Sequence, residues 1–468
     1  MRGISCQNPR MKRIALVFVL ATSLLCGTIS FAAVKAGSAC TKQGATSIVS
    51  GKKYTCIKSG KKLVWDKGAL IKQPAVAVPE SPKSEPIASP TSKPGPVITL
   101  TSLDKYQISE KCKITNANQN NDSNQSFSKR NFKPIDLTRP IRVLIFLADF
   151  PDLIAVNPSA PDFTKMKVRF ENYYKAQSNG KVIFEWTIAP KYVRMDKTVA
   201  SYQVGERAAG NVWQLNNDFQ DLAFKTYSKN SFDYFIASAP TTTLRSQIAT
   251  SPAFPTHDNN YLSATYLGGD YWEQADKDWA IPLHEFGHSL GLADLYDFSA
   301  SMLQSAGWIP QFQFMGVYDL MNYAGGSGLE LTAWNRWLSR LISDDQILCL
   351  PPEKTISFLK PIEAQNDSVK GLVIPISESK AIAIENRSAL GFDNQLQPGA
   401  QGVIVYLVDN SKETGNGPMR LIRKTGSTEP WFQDNALKKG ESLITYNYEI
   451  KVLDLNQDGA YISVEKVA

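Results

Sequence analysis

Two of the chain's three histidines stand four residues apart, with a glutamate after the first, in the stretch His284-Glu285-Phe286-Gly287-His288-Ser289-Leu290-Gly291-Leu292-Ala293-Asp294. At that histidine frequency, a chance His-Glu-x-x-His is expected on the order of once in a thousand chains of this length. On a helix, residues four apart share a face, so both imidazoles reach one metal ion and Glu285 stands beside it. Gly291 lacks a Cβ and allows the sharp turn that ends the helix, from which Asp294 swings back as a third ligand. Three protein ligands leave a fourth position for water, the arrangement of a catalytic zinc site. Zinc there would activate the water and Glu285 would take its proton and pass it to the leaving group, the chemistry of a metal-assisted hydrolysis such as that of a peptide bond.

The elements that must hold this site begin at residue 139. Arg139 to Asp152 is an almost unbroken apolar run ending in turn residues, which predicts a strand buried on both faces. Met166, Phe170, Tyr173 and Gln177 step at helical spacing, and Ser178-Asn179-Gly180 closes that helix. Val182 to Ile188 and Tyr192 to Met195 read as strands. Val212, Leu215, Phe219 and Leu222 mark one face of a second helix, and Phe232 to Ser238 is another buried strand. Pro282 falls in the first turn of the active-site helix, where its missing N–H does no harm. Leu331, Trp334, Leu338 and Leu341 predict an amphipathic helix that closes the domain. The order implies an α/β (α+β) catalytic domain over 139–350, with a mixed sheet and the active-site helix.

Outside that domain the chain is uneven in charge. Residues 1–32 hold four of the basic residues and no acidic one, so their removal lowers the formal charge from +7 to +3. Residues 33–70 carry eight lysines against Asp66 alone, so the rest of the chain is net acidic. That distribution argues against nucleic acid as a partner. Met11-Lys12-Arg13, the apolar run Ile14 to Leu25 and Ser30-Phe31-Ala32 read as a signal peptide over 1–32, hence a secreted or cell-surface protein with no stable membrane span after its removal. Retained, Ile14 to Val34 is just long enough to serve as an N-terminal anchor. Export makes the cysteines an oxidised set: Cys40 with Cys56 by closeness in sequence, which leaves Cys112 with Cys349.

Residues 33–70 form a small basic module too short for a core of its own. Its lysines either bind anionic cell-wall polymers or form a solvated face. Residues 71–100 are a Pro-rich linker, extended and semi-rigid. Residues 101–138 carry little periodic signal and read either as a pro-segment or as a tether. From 351 to 468, short alternating runs separated by Gly, Asn, Asp and Pro predict an all-β, sandwich-like domain. Asp454-Leu455-Asn456-Gln457-Asp458-Gly459, with Glu465 beyond it, matches a calcium-loop expression, but its flanks alternate like strands and favour a hairpin turn. His257, the remaining histidine, either lines the substrate cleft or is an ordinary loop residue.

The zinc motif with Leu295-Tyr296-Asp297, the strand ending Ala148-Asp149-Phe150-Pro151-Asp152, the Asp319-Leu320-Met321 turn with Trp334 beyond it, Ile384-Glu385-Asn386-Arg387 and Gly402-Val403-Ile404-Val405-Tyr406 together resemble the immune inhibitor A type of zinc metallopeptidase, related to the metzincins. Ser289 and Ala293 stand where close relatives often have Asp and Pro. The resemblance implies that Met321 is the Met-turn residue beneath the metal, with Met315 the weaker candidate. It also implies that Tyr323, two residues on, is a phenol near the metal able to donate to an oxyanion, and that a structural Ca2+ is carried elsewhere. Protein or peptide substrates follow from it. Two rival readings stand beside that peptidase: a narrow-specificity hydrolase of wall peptides, and a non-catalytic wall-binding protein on a peptidase fold.

Overall fold

The structure, a computed structural model, describes residues 35–49, 52–70, 98–115, 125–127, 135–205, 210–244, 246–248, 263–267, 279–300 and 309–467. The signal peptide, nearly all of the linker and His257 lie outside the described residues. The chain divides into two units, residues 1–93 and 94–468. No helix among the described residues is long and apolar enough to cross a membrane.

In the first unit, β1 (Thr46–Val49), β2 (Lys52–Ser59) and β3 (Lys62–Trp65) form an antiparallel sheet, and the two-residue β4 (Ala69–Leu70) also pairs with β2. Cys56 is buried and disulfide-bonded to Cys40, as sequence closeness predicts. Tyr54, Leu63, Val64 and Trp65 are only half-buried. A sheet with so little core depends on its covalent staple.

The second unit is mixed α/β, with several sheets and few helices. Strand β5 (Ile141–Asp149) is buried along its length save for Arg142, as the apolar run predicts. Around it the order is β6 (Phe184–Ile188), β5, β8 (Tyr234–Ser238), β9 (Ser263–Leu267), with β7 (Val193–Arg194) also on β5. The expected mixed sheet is corrected here: the described pairings among these five strands are all parallel. Parallel neighbours need crossover connections, and α1 (Thr164–Gln177), α2 (Val199–Tyr202) and α3 (Val212–Ala223) lie in them. Helix α1 reaches the site directly, since the Tyr174 hydroxyl donates to the Leu283 carbonyl at 2.5 Å.

The predicted amphipathic helix also differs. It is the short α5 (Ala333–Leu338), buried on every side, Arg336 included. The reason is a second sheet packed beyond it: a Cβ on Gly371 would come within 2.9 Å of the Ala333 Cβ. Arg336 is neutralised by Glu330 and also donates to the carbonyls of Leu331 and Ile362 at 3.1 and 3.0 Å. A charge is tolerated in such a place only when paired and fully hydrogen-bonded.

That second sheet has the order β10 (Ile347–Cys349), β12 (Gly371–Ser377), β13 (Lys380–Arg387), β14 (Gly402–Asp409), β15 (Met419–Leu421). A third has the order β11 (Thr355–Leu359), β18 (Gly459–Lys466), β17 (Tyr448–Asn456), β16 (Ser442–Thr445). Alternation decides how they pack. Leu372, Ile374, Ile382, Ile384, Val403 and Val405 form one cluster with Ile450, Val452, Ile462 and Val464. Their neighbours Val373, Ala381, Ala383, Ile404, Tyr406 and Val408 face the other way, into the core that holds α5 and the zinc-motif helix. The calcium-like expression is a hairpin, Asn456 pairing with Gly459 across Gln457-Asp458.

Cys112 and Cys349 are disulfide-bonded across 237 residues. Gln107 donates its backbone N–H to the Cys349 carbonyl at 2.9 Å, and Thr101 does so to Ile356 at 2.8 Å, so the segment before β5 is laid along β10 and β11.

Candidate metal centre

Helix α4 (Ile281–Ser289) carries the motif, with Pro282 in its first turn as expected. Phe286, fully buried, fixes its roll. Its ring meets those of Phe170, Tyr174, Phe184 and Tyr234, all with centroids within 5.4 Å. Burying that face turns His284 and His288 to the opposite side, their rings 4.9 Å apart and perpendicular. Gly291 then takes φ +89°, and the N–H groups of Gly291 and Leu292 bond back to His288 and Gly287 at 2.8 and 3.1 Å. That left-handed cap brings Asp294 back over the helix, as its spacing predicts.

His284, His288 and Asp294 are the one group of three or more His, Cys, Asp and Glu among the described residues placed to hold a metal, their ligand atoms all within 4.8 Å of one another. Each imidazole is oriented by a backbone carbonyl: His284 Nδ1 lies 3.0 Å from Leu320 O, and His288 Nδ1 lies 2.9 Å from Leu292 O. With Nδ1–H donated in both, both Nε2 lone pairs are free to ligate. Asp294 Oδ1 lies 3.0 Å from His284 Nε2 and 3.4 Å from His288 Nε2. Two imidazole nitrogens and a carboxylate converging on one point are a donor set that fits a divalent cation.

The electrostatics agree. Burial opposes charge on both imidazoles, and Asp294 more than offsets it: His284 is raised, and His288 is pushed up to about 9. Burial likewise opposes the Asp294 carboxylate, yet His288 and His284 hold it far below the usual range. The site is built to accept positive charge beside a carboxylate. Glu285, 7% exposed, stands next to it.

Met321 lies under the helix at 0% exposure, where a Cβ on Gly287 would come within 2.5 Å of its sulfur. The turn that carries it is held by Asp319, at φ +72°, whose carboxylate accepts the N–H groups of Met321 and Thr332 at 2.8 Å each and the Asn335 side chain at 2.8 Å. From this turn Leu320 O orients His284, and Met321 O accepts the Leu295 N–H at 3.0 Å, one residue past Asp294.

Tyr323 stacks on Phe312 at 4.1 Å and on Trp431 at 5.4 Å between centroids. A phenol beside the ligand set is Tyr296, which sequence reasoning quoted without a role. Its ring lies 6.1 Å from that of His284, near parallel. Burial first, then the nearby Asp294 and Glu285 charges, raise Tyr296 well above the ordinary phenol value. Its signal was position, two residues after Asp294. Thr414, which bonds Asp294 from 120 residues downstream, had no signal.

No family model matches this chain, and no curated protein matches it. A solved structure, catalytic inactive OgpA from Akkermansia muciniphila in complex with an O-glycopeptide (glycodrosocin) substrate, covers 72% of this chain and 94% of its own, with 11% identity and a TM-score of 0.24. At that score the likeness carries no argument.

Proposed function

We propose that the chain is a secreted, zinc-dependent metalloendopeptidase of the immune inhibitor A type, with a metzincin-like active-site helix and a β-sandwich as its C-terminal part. The observation that carries this reading is the convergence of His284 Nε2, His288 Nε2 and Asp294 Oδ1, with both Nδ1 atoms committed to carbonyls. Two nitrogens and one carboxylate suit zinc better than the oxygen-seeking Ca2+ or Mg2+. Bound there, zinc supplies Lewis acidity that polarises a peptide carbonyl and makes water acidic enough to deprotonate near pH ~7.

The chain's own residues supply the rest. Glu285 accepts the proton of the attacking water and returns it to the leaving amine. Met321 is an apolar floor that keeps α4 at a fixed height. Tyr323 is the phenol proposed to donate to the developing oxyanion. Secretion is supported by the leader-like first 32 residues and by two disulfides. Attachment of residues 33–70 to anionic wall polymers is supported by their lysine excess alone.

Glu285→Ala tests the reading. The variant should retain stoichiometric zinc and lose cleavage of unfolded casein by at least ~100-fold. Undiminished cleavage would remove Glu285 as the base. A wild-type protein that holds zinc and cuts no protein would favour the non-catalytic wall-binding rival.

A further inference from the structure

We infer that the loop between β14 and β15, through Thr414, is a positioning element of the metal centre that fixes the third ligand from the C-terminal sheet. The inference rests on Asp294 being a ligand.

Asp294 stands in a loop three residues beyond a left-handed glycine, and His284 and His288 from its own segment reach its Oδ1. The β14–β15 loop holds its backbone and Oδ2. The Thr414 hydroxyl accepts the Asp294 N–H at 2.9 Å and donates to Asp294 Oδ2 at 3.4 Å. Gly415 donates its N–H to the Asp294 carbonyl at 3.0 Å, and its own carbonyl accepts the Phe298 N–H at 3.0 Å. Oδ2 is thus turned to the loop and Oδ1 to the histidines, which fixes the rotation of the carboxylate as well as its place. Gly415, at φ +71°, lies so close to Phe298 that a Cβ would come within 2.2 Å of the ring.

The loop is stiff enough for this task. Asp409 N donates to Pro418 O at 2.9 Å, and the Asp409 carboxylate accepts the Ser411 N–H at 3.0 Å. Asn410 N donates to Ser379 O at 2.8 Å, and its side chain donates to Ile114 O at 3.2 Å. Arg420 donates to Asn416 O at 2.9 Å while its guanidinium lies 4.2 Å over Phe314. A second loop from the same sheet braces the Met321 side, since Val317 N donates to Trp431 O at 3.1 Å. Partners behind a metal ligand commonly change affinity by ~10–100-fold when removed, and valine at 414 keeps the shape while losing both bonds.

The test uses the full mature chain and zinc alone, with affinity read by chelator competition and the melting temperature of the metal-free protein read beside it. Thr414→Val should weaken zinc at least ~10-fold; Thr414→Ser should stay within about threefold, since it retains the hydroxyl that makes both bonds. Added to Asp294→Ala, Thr414→Val should weaken zinc no further, because its effect passes through that carboxylate. Wild-type affinity in Thr414→Val, or an equal loss with and without Asp294, overturns the inference. If Asp294→Ala itself binds zinc like the wild type, the ligand assignment falls and takes this with it. A harmful Asp294→Ala beside a neutral Thr414→Val overturns the positioning role alone.

Discussion

The sulfur of Met321 occupies the space that a side chain on Gly287 would need, since a Cβ there would come within 2.5 Å of it. The glycine inside the zinc motif and the methionine after Asp319 are therefore one feature. In an open helix Gly→Ala stabilises by up to about 1 kcal/mol. Here the helix cannot lift without moving both histidines, so overpacking should win: Gly287→Ala should destabilise the metal-free protein by ~1–3 kcal/mol in urea melts. Met321→Leu, near in volume, should cost less than ~1.5 kcal/mol. Combining Gly287→Ala with Met321→Ala should cost less than the sum of the singles, because the cavity of one receives the methyl of the other. Strict additivity would mean that the two do not share this space.

The two phenols separate by which quantity they move. Tyr296 lies against His284 with the Asp294 charge close by, whereas Tyr323 is stacked on Phe312 and on Trp431. Tyr296→Phe removes a hydroxyl from beside the ligand set and should weaken zinc by about 10-fold. Tyr323→Phe keeps the stack; if its hydroxyl serves the transition state, kcat should fall ~100-fold with zinc affinity unchanged. A normal kcat in Tyr323→Phe, measured on casein, would end the oxyanion role assigned to it.

What the sequence disclosed follows the range of the interactions involved. The histidine pair, Glu285, the Gly291 turn and the return of Asp294 all lie within eleven residues, so spacing sets them. The buried strand at Ile141–Asp149 and helix α1 announce themselves by period. Helix α5 does not, because Leu331, Trp334, Leu338 and Leu341 read as a stripe only if the opposite face meets water, and here it meets β12. Arg336 in that helix looks like a surface residue until Glu330 is found beside it. Thr414 is beyond any local signal: a hydroxyl in a Gly- and Asn-rich loop is an ordinary turn residue until the fold sets it on Asp294.

The two disulfides should differ in consequence. Cys112–Cys349 closes a loop of 237 residues inside the second unit, where loop entropy alone is worth roughly 5–6 kcal/mol. Replacing both cysteines by serine should lower the main unfolding transition by several degrees. Cys40–Cys56 closes 16 residues in the other unit, and its replacement should leave that transition where it was. Differential scanning calorimetry of both variants decides this; a shift of the main transition in the Cys40/Cys56 variant would mean that the units unfold together.

A zinc ion entering this site must displace a proton, so the metal-free and zinc-loaded proteins should differ in pH dependence, the first falling and the second staying level over the interval in which the proton is bound. In the metal-free protein His288 is raised to about 9 by Asp294, against about 6.5 in an unfolded chain. A group raised on folding contributes stability that is complete below its unfolded value and lost as pH rises through its folded value. The metal-free melting temperature should therefore fall between pH ~6.5 and ~9. Zinc must displace that same proton, so its affinity should climb by up to tenfold per pH unit over the same interval and then level off. Since bound zinc stabilises in proportion to the logarithm of its occupancy ratio, the gap between the two melting curves should widen as pH rises. Melts with zinc and with a chelator at pH 6, 7, 8 and 9, set about a unit apart to span that interval, read both slopes. Parallel curves would mean that zinc displaces no proton, and that the ion pair between His288 and Asp294 is not the site it enters.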